Sequence, residues 1–204
     1  MKIIQIVLSD LTNGICKNEK PIYQHNYADK FFDEFTKKIS PVVICGRKTL
    51  ETFPNKNLPK RQIIVLSNNK KYKCRHDIAT NIDEALELAA CKSKYNGYVC
   101  IIGGGETYKE FINKTDYIVI MRAMFSTINS DSKYPNISYS FTWRSLCNCP
   151  LPNYDNAIPI NIELYTSDYS GVCEDAESSW KIIDSVNSII KKVWKFHSTN
   201  NNKS

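Results

Sequence analysis

The sequence predicts an α/β fold: a mostly parallel central sheet with flanking helices and an antiparallel edge strand. Three observations carry this. Five short runs, IIQIVL, PVVIC, RQIIVLS, YVCIIGG and DYIVIMRAMF, are apolar on both faces, the pattern of strands covered on two sides. Stretches with helical period separate them. The runs VVIC and CII each lead straight into glycine and then a helical stretch, as strand-to-helix turns do in such sheets.

In chain order, residues 3–8 read as a buried strand. Asn13-Gly14 marks a turn, and a polar, irregular loop runs to about Tyr27. ADKFFDEFTKKIS is a helix, because Ala28, Phe32, Phe35 and Ile39 fall on one face by the 3.6 period, and Pro41 closes it. PVVIC is the second strand, and Gly46-Arg47-Lys48-Thr49 opens a short helix ending near Pro54. RQIIVLS is the third strand. NIDEALELAACK is a helix with Asn81 or Asp83 as its cap. YVCIIGG, ETYKEFI and DYIVIMRAMF supply the fourth strand, another helix and the fifth strand. Beyond Asp131 the alternation stops. FTWRSL and IPINIELYTS read as two strands that pair antiparallel at the sheet edge, separated by a loop from Cys147 to Ala157. From Glu174, Trp180, Ile182, Ile183, Val186, Ile189, Ile190, Val193 and Trp194 make an amphipathic helix with a broad apolar face. The tail STNNNKS is expected to be disordered. The organisation is therefore a body over 1–167 and, over 168–204, an amphipathic helical extension with a disordered tail.

Composition narrows the class. The chain has 204 residues, 42 % hydrophobic and 24 % charged, enough for one domain with a real core. No apolar run is long enough to span a bilayer, and the N-terminal run is too short and strand-like for a signal peptide. A cytoplasmic protein is expected, with its eight cysteines reduced, Cys45 and Cys100 as small core hydrophobes. Cys147 and Cys149 form a C-x-C pair with no second pair beside it, and His25, His76 and His197 have no ligand-spaced partners, so no metal site is expected. A net charge of +6 suits polyanionic ligands, but it is spread out and requires no nucleic acid.

The chemistry concentrates in two turns. IIGGG spends three of seven glycines at one strand-to-helix turn. Such a turn admits positive φ and exposes bare N–H groups at a helix N-terminus, which suits a pyrophosphate. GRKT repeats the arrangement with an Arg and a Lys. With LPKR, IVLS and IGGGETY following in order, and DSKYPNI at 131–137, the chain resembles a dihydrofolate reductase over roughly residues 3 to 167. The helical tail lies outside the resemblance.

That resemblance implies NADPH-dependent reduction of 7,8-dihydrofolate to tetrahydrofolate, with hydride to pterin C6 and a proton to N5. It implies that Gly103, Gly104 and Gly105 lie against the cofactor pyrophosphate with Glu106 and Thr107. Gly46, Arg47, Lys48 and Thr49 would hold phosphates, Arg47 near the ribose 2′-phosphate. Leu66, Ser67 and Asn68 would line the adenosine end, and Ile15 would border the nicotinamide from the first loop. Arg61 would hold the glutamate carboxylate of folate, which suits a forked guanidinium. Phe32, Phe53 and Leu58 would border the substrate, the last two on its aminobenzoyl ring. Ile102 would face the pterin, and Tyr108 would sit beside substrate and nicotinamide. Asp29, in YADKFF, matches the carboxylate that orients the pterin and assists N5 protonation. Asp33 and Glu34 take that role if the register slips.

The first loop departs from the family pattern. Cys16 stands where a glycine is expected. No Trp follows Pro21, so Ile22 or Tyr23 fills its place. Met121 replaces a Thr, while Arg122 is retained. These changes leave two other readings open: a non-catalytic folate- and NADPH-binding module, or a related pteridine or pyrimidine reductase. The partner is a small molecule, the chain a monomer or a homodimer through the C-terminal helix.

Overall fold

A computed structural model describes residues 1–18, 20–23, 26–92, 97–126, 129–137, 141–147, 160–167 and 176–200, with side chains described throughout except at 142–147, 176–179 and 194–200. His25, Cys149 and the loop over 148–157 lie outside these residues, as does the 168–175 junction. In chain order the elements are β1 (Lys2–Ser9), β2 (Gly14–Lys17), β3 (Lys20–Pro21), α1 (Asn26–Lys38), β4 (Val42–Gly46), α2 (Arg47–Thr52), β5 (Gln62–Leu66), β6 (Asp77–Ala79), α3 (Ile82–Lys92) and β7 (Tyr98–Ile101). There follow α4 (Gly105–Phe111), β8 (Tyr117–Ala123), β9 (Ser132–Lys133), β10 (Thr142–Cys147), β11 (Ile160–Thr166) and α5 (Ala176–Asn200).

The main sheet runs in the order β10-β11-β8-β1-β7-β4-β5-β6. Every pairing from β8 to β6 is parallel, and β11 pairs antiparallel with both β8 and β10. This is the expected architecture. β1 lies between β7 and β8 and has a core on each face, so it reads mostly apolar; its only fully buried polar side chains are Gln5 and Ser9. Gln5 is satisfied by Tyr108 O, by Thr115 and by the Tyr134 hydroxyl, at 3.0, 2.8 and 2.5 Å. Helix α3 starts at Ile82, and Asn81 is its cap: its Oδ1 accepts the Glu84 N–H at 2.9 Å.

Two cores form, one on each face of the sheet. Helices α3 and α4 close one, with Ala85, Ala89 and Phe111 on Ile3, Val7, Ile44 and Ile101. Helices α1 and α5 share the other. There Phe31 and Phe35, both fully buried and stacked at 5.9 Å, join Ile182, Val186, Ile189 and Val193 over Ile4, Ile6, Val119 and Ile162. Each such side chain contributes about 1.5–3 kcal/mol through burial. The Lys192–Glu34 ion pair at 2.6 Å and the Lys38 to Ser188 hydrogen bond at 3.1 Å tie the exposed rims of these two helices together.

Four expectations are corrected. The first loop is not irregular throughout: β2 pairs with β3 and with β9 in a small antiparallel sheet, because the Lys17–Lys20 turn and residues 132–133 supply its partners. α1 begins at Asn26, two residues before the apolar period shows it. Trp180 belongs to no packed face; it is 57 % exposed, while the residues at the 182/186/189/193 spacing are buried. Helix α5 continues to Asn200, through the first three residues of the stretch expected to be disordered, and 201–204 lie outside the described residues. β6 was not expected at all; three residues carry too little periodicity to show.

Candidate active site

The carboxyl ends of β1, β4 and β7 lie side by side, as the parallel order requires, with α1 packed in the core on one face of the sheet. The two glycine turns interlock there. Gly46 N–H donates to the Gly103 carbonyl at 2.7 Å, and Ile102 N–H donates to Ile44 O at 2.9 Å. Gly103 has φ +102° and is followed by a cis peptide bond to Gly104. The turn has no room for side chains. A Cβ on Gly103 would lie 2.9 Å from the Tyr108 ring, one on Gly104 3.2 Å from Thr49 Oγ1, and one on Gly46 2.9 Å from Thr107 Oγ1. A Cβ on Gly105 would overlap Ser132 Oγ, with Ile15 Cδ1 at 3.7 Å. Bare backbone from two strand ends, with the hydroxyls of Thr49 and Thr107 against it, fits the close approach of a diphosphate.

Around this turn, Arg47 is half-exposed. Its guanidinium pairs with Glu51 at 3.0 Å and lies over the Tyr72 ring at 5.9 Å. Lys48, Asn68 and Glu106 are exposed, whereas Thr107 and Ser67 are buried. Leu66, partly buried, ends β5 beside Gly46. Tyr108 is almost wholly buried. Its hydroxyl donates to Ile6 O at 2.7 Å and its ring meets Tyr134 edge-on at 5.1 Å, so it is a fixed wall behind Gly103. Burial pushes its phenol well above the ordinary tyrosine range.

The opposite side is apolar. Leu58 and Ile102 are buried, and Leu8, Tyr23, Phe32 and Phe53 are partly buried against the same core. Tyr23, not Ile22, joins this core, edge-on to Phe125 at 5.5 Å. At its end stands Arg61, whose side chain is only 2 % exposed and whose Nη1 donates to Asp33 Oδ1 at 2.7 Å. Asp33 also accepts from Lys37 at 2.5 Å. Burial alone would raise the Asp33 carboxyl, but the hydrogen bonds and charges of Lys37 and Arg61 outweigh it and hold it below the ordinary carboxylate range.

Asp29 is the one acid in the first turn of α1. It is exposed, and the first-turn residues turned into the core are its neighbours Tyr27 and Ala28. One residue along a helix is a rotation of about 100°, which separates Asp29 from Ala28. Surrounding protein still desolvates the Asp29 carboxyl enough to raise its pKa above the ordinary value.

Arg122 anchors the first loop. Its Nη1 donates to Ser9 Oγ, Asp10 O and Asn13 Oδ1 at 2.8–2.9 Å, while its Nε and Nη2 reach Glu163. Asp10, fully buried, accepts from the Thr12 and Gly14 N–H groups at 2.8 and 2.7 Å. Asp131 continues the tie, accepting the Asn18 N–H and donating its own to Cys16 O. Sequence reasoning had Ala28 on the apolar face of the helix but missed two of these features: the Asp33–Arg61 pair and the seat of Ser132 against Gly105. Only the i, i+4 spacing of Asp33 and Lys37 was readable beforehand.

Comparison with known proteins agrees with this fold. The family model for dihydrofolate reductase matches residues 2–167. The chain is 34 % identical over 148 residues to the dihydrofolate reductase of Sus scrofa, covering 65 % of this chain and 78 % of that enzyme. It is 28 % identical over 149 residues to dihydrofolate reductase type 3 of Salmonella typhimurium, covering 71 % and 85 %. The match to the Bos taurus enzyme is 36 % identical, over 48 % of this chain and 56 % of that one. A solved dihydrofolate reductase from Enterococcus faecalis, complexed with NADP(H) and RAB-propyl, superposes with a TM-score of 0.67 at 27 % identity, covering 81 % of this chain and 95 % of its own. The chain belongs to the dihydrofolate reductase family.

Proposed function

We propose that the chain is an NADPH-dependent dihydrofolate reductase that works at the strand ends just described, converting 7,8-dihydrofolate to 5,6,7,8-tetrahydrofolate. The observation that carries this is the interlocked pair of glycine turns, Gly46 on Gly103, within a family match over residues 2–167. NADPH supplies the hydride that pterin C6 receives. Gly103, Gly104 and Gly105 hold the diphosphate on bare backbone, with Thr49 and Thr107 beside it. Arg47, over the Tyr72 ring, would hold the 2′-phosphate in place of its ion pair with Glu51. Phe32, Phe53, Leu58 and Ile102 exclude water from the substrate. Arg61 takes the tail carboxylate. Asp29 orients the pterin and assists the proton to N5; its raised pKa keeps more of the neutral acid at a given pH.

One observation favours a second reading. The first-turn residues of α1 turned inward are Tyr27 and Ala28, neither an acid, and Met121 is buried on β8, beside β1. A chain with that arrangement binds cofactor and folate without turning over. Loss of NADPH absorbance on addition of dihydrofolate, abolished by methotrexate, decides the matter. NADPH binding without turnover establishes the second reading, and no binding of either ligand refutes both.

The protein is a cytosolic monomer in this reading. Among the described residues no helix is long and apolar enough to cross a membrane, and Cys45, Cys74, Cys91 and Cys100 are free thiols. Among the described residues the apolar face of α5 is covered by its own body, so α5 is an integral brace rather than a dimerisation arm. Sedimentation at micromolar concentration tests this; a dimer lost on removal of α5 overturns it.

A further inference from the structure

Arg61 is a buried cation with two unequal sides. Its Nη1 is held by Asp33 at 2.7 Å, while its buried Nε has no hydrogen-bond partner. In a guanidinium, Nε–H and the adjacent Nη2–H form a side-on fork that fits a carboxylate. The chain therefore already places one carboxylate on Arg61 and leaves a buried donor for another. We propose that Asp33 is a specificity-determining residue of this site: its carboxylate on Arg61 weakens recognition of a carboxylate-bearing substrate tail, so that the chain prefers charged-tail folates over uncharged ones less than Arg61 alone would dictate. The inference rests on the reading of Arg61 given under Proposed function.

The physical case is direct. Any tail carboxylate that docks on the Nε side shares one guanidinium with Asp33, at a separation set by the width of that group. Like charges so placed repel, and the site is shielded from water because the Arg61 side chain is only 2 % exposed. Lys37, on the far side of Asp33 at 2.5 Å, relieves part of the repulsion and leaves the trio with one net positive charge, where Arg61 and Lys37 alone would give two. Asp33, unlike Arg61, is partly exposed, so its charge is open to a ligand arriving from solvent.

The test uses full-length protein saturated with NADPH, titrated with folate and with the folate bis-amide, whose tail has the same shape and no charge. Asp33→Asn should tighten folate about fivefold relative to the bis-amide, the size of one partly screened charge pair. Asp33→Ser should shift the ratio in the same direction, and taking a ratio cancels any general loss of folded protein. Placed on Arg61→Leu, Asp33→Asn should leave the ratio unchanged. A ratio that moves toward the bis-amide shows that Asp33 holds Arg61 for the tail and overturns the proposal. A ratio equal in wild type and both Asp33 variants also overturns it, while leaving the folate reading intact. Wild-type protein that binds NADPH but neither folate nor its bis-amide refutes the folate reading itself, and the inference with it.

Discussion

Replacing Gly103 by Ala isolates the glycine turn. The residue has φ +102°, a region that a side chain enters at a cost of about 1–3 kcal/mol. The new methyl would lie 2.9 Å from Tyr108 Cε2 and 3.0 Å from Cζ and the hydroxyl oxygen. The ring has little freedom to retreat, because its hydroxyl is bonded to Ile6 O at 2.7 Å and its edge meets Tyr134 at 5.1 Å. Overpacking against so fixed a neighbour adds about 1–3 kcal/mol. The combined cost, about 2–6 kcal/mol, falls either on stability or on the turn's geometry. If the turn shifts, the Gly46–Gly103 bond breaks and the NADPH dissociation constant rises at least about tenfold, the equivalent of 1.4 kcal/mol. The assay pairs urea unfolding with an NADPH fluorescence titration. Gly97→Ala is the control: its φ is +71°, but nothing lies within 4 Å of the added Cβ. It should lose about 1 kcal/mol of stability and no cofactor affinity. If Gly103→Ala matches wild type in both stability and NADPH affinity, the tight-turn argument fails.

Arg47→Ala should weaken NADPH by about 1.5 kcal/mol, the low end for a bond to a charged group because Glu51 already partners Arg47, and should barely affect NADH; equal losses place the 2′-phosphate elsewhere. Asp29→Asn should slow hydride transfer steeply near neutral pH and recover in acid, where the substrate arrives protonated at N5. The wild-type rate should fall as pH rises through the raised Asp29 pKa, since the neutral form assists protonation; an unchanged pH–rate profile in the variant removes Asp29 from the mechanism. Ile189→Ala, in the fully buried face of α5, should cost about 2–5 kcal/mol in denaturant unfolding. Trp180→Ala, at an exposed site, should stay within about 0.5 kcal/mol; equal costs would mean that α5 does not dock as described.

The local rules were legible in the chain alone. Runs such as IIQIVL and VVIC, apolar on both faces, can only be stable where both faces are covered, so they specify a parallel sheet between helices. The triple glycine and GRKT announced a crowded backbone turn because no other residue type fits one. Asn81 as a cap and the 182/186/189/193 stripe of α5 follow from helix geometry in the same way. What only tertiary structure decided depends on contacts between distant segments. Short polar strands such as Gly14–Lys17 carry no periodic signal, and their partner, Ser132–Lys133, lies far along the chain. Periodicity placed Ala28 on the apolar face of α1 and Asp29 at its edge, as the structure has them, but it put Phe32 on that face, and only packing against the sheet and α5 makes Phe31 the fully buried neighbour of Phe35. Asp33 reaches Arg61 for the same reason: the two are 28 residues apart in sequence, and only the docking of α1 against the sheet brings opposite charges within 2.7 Å.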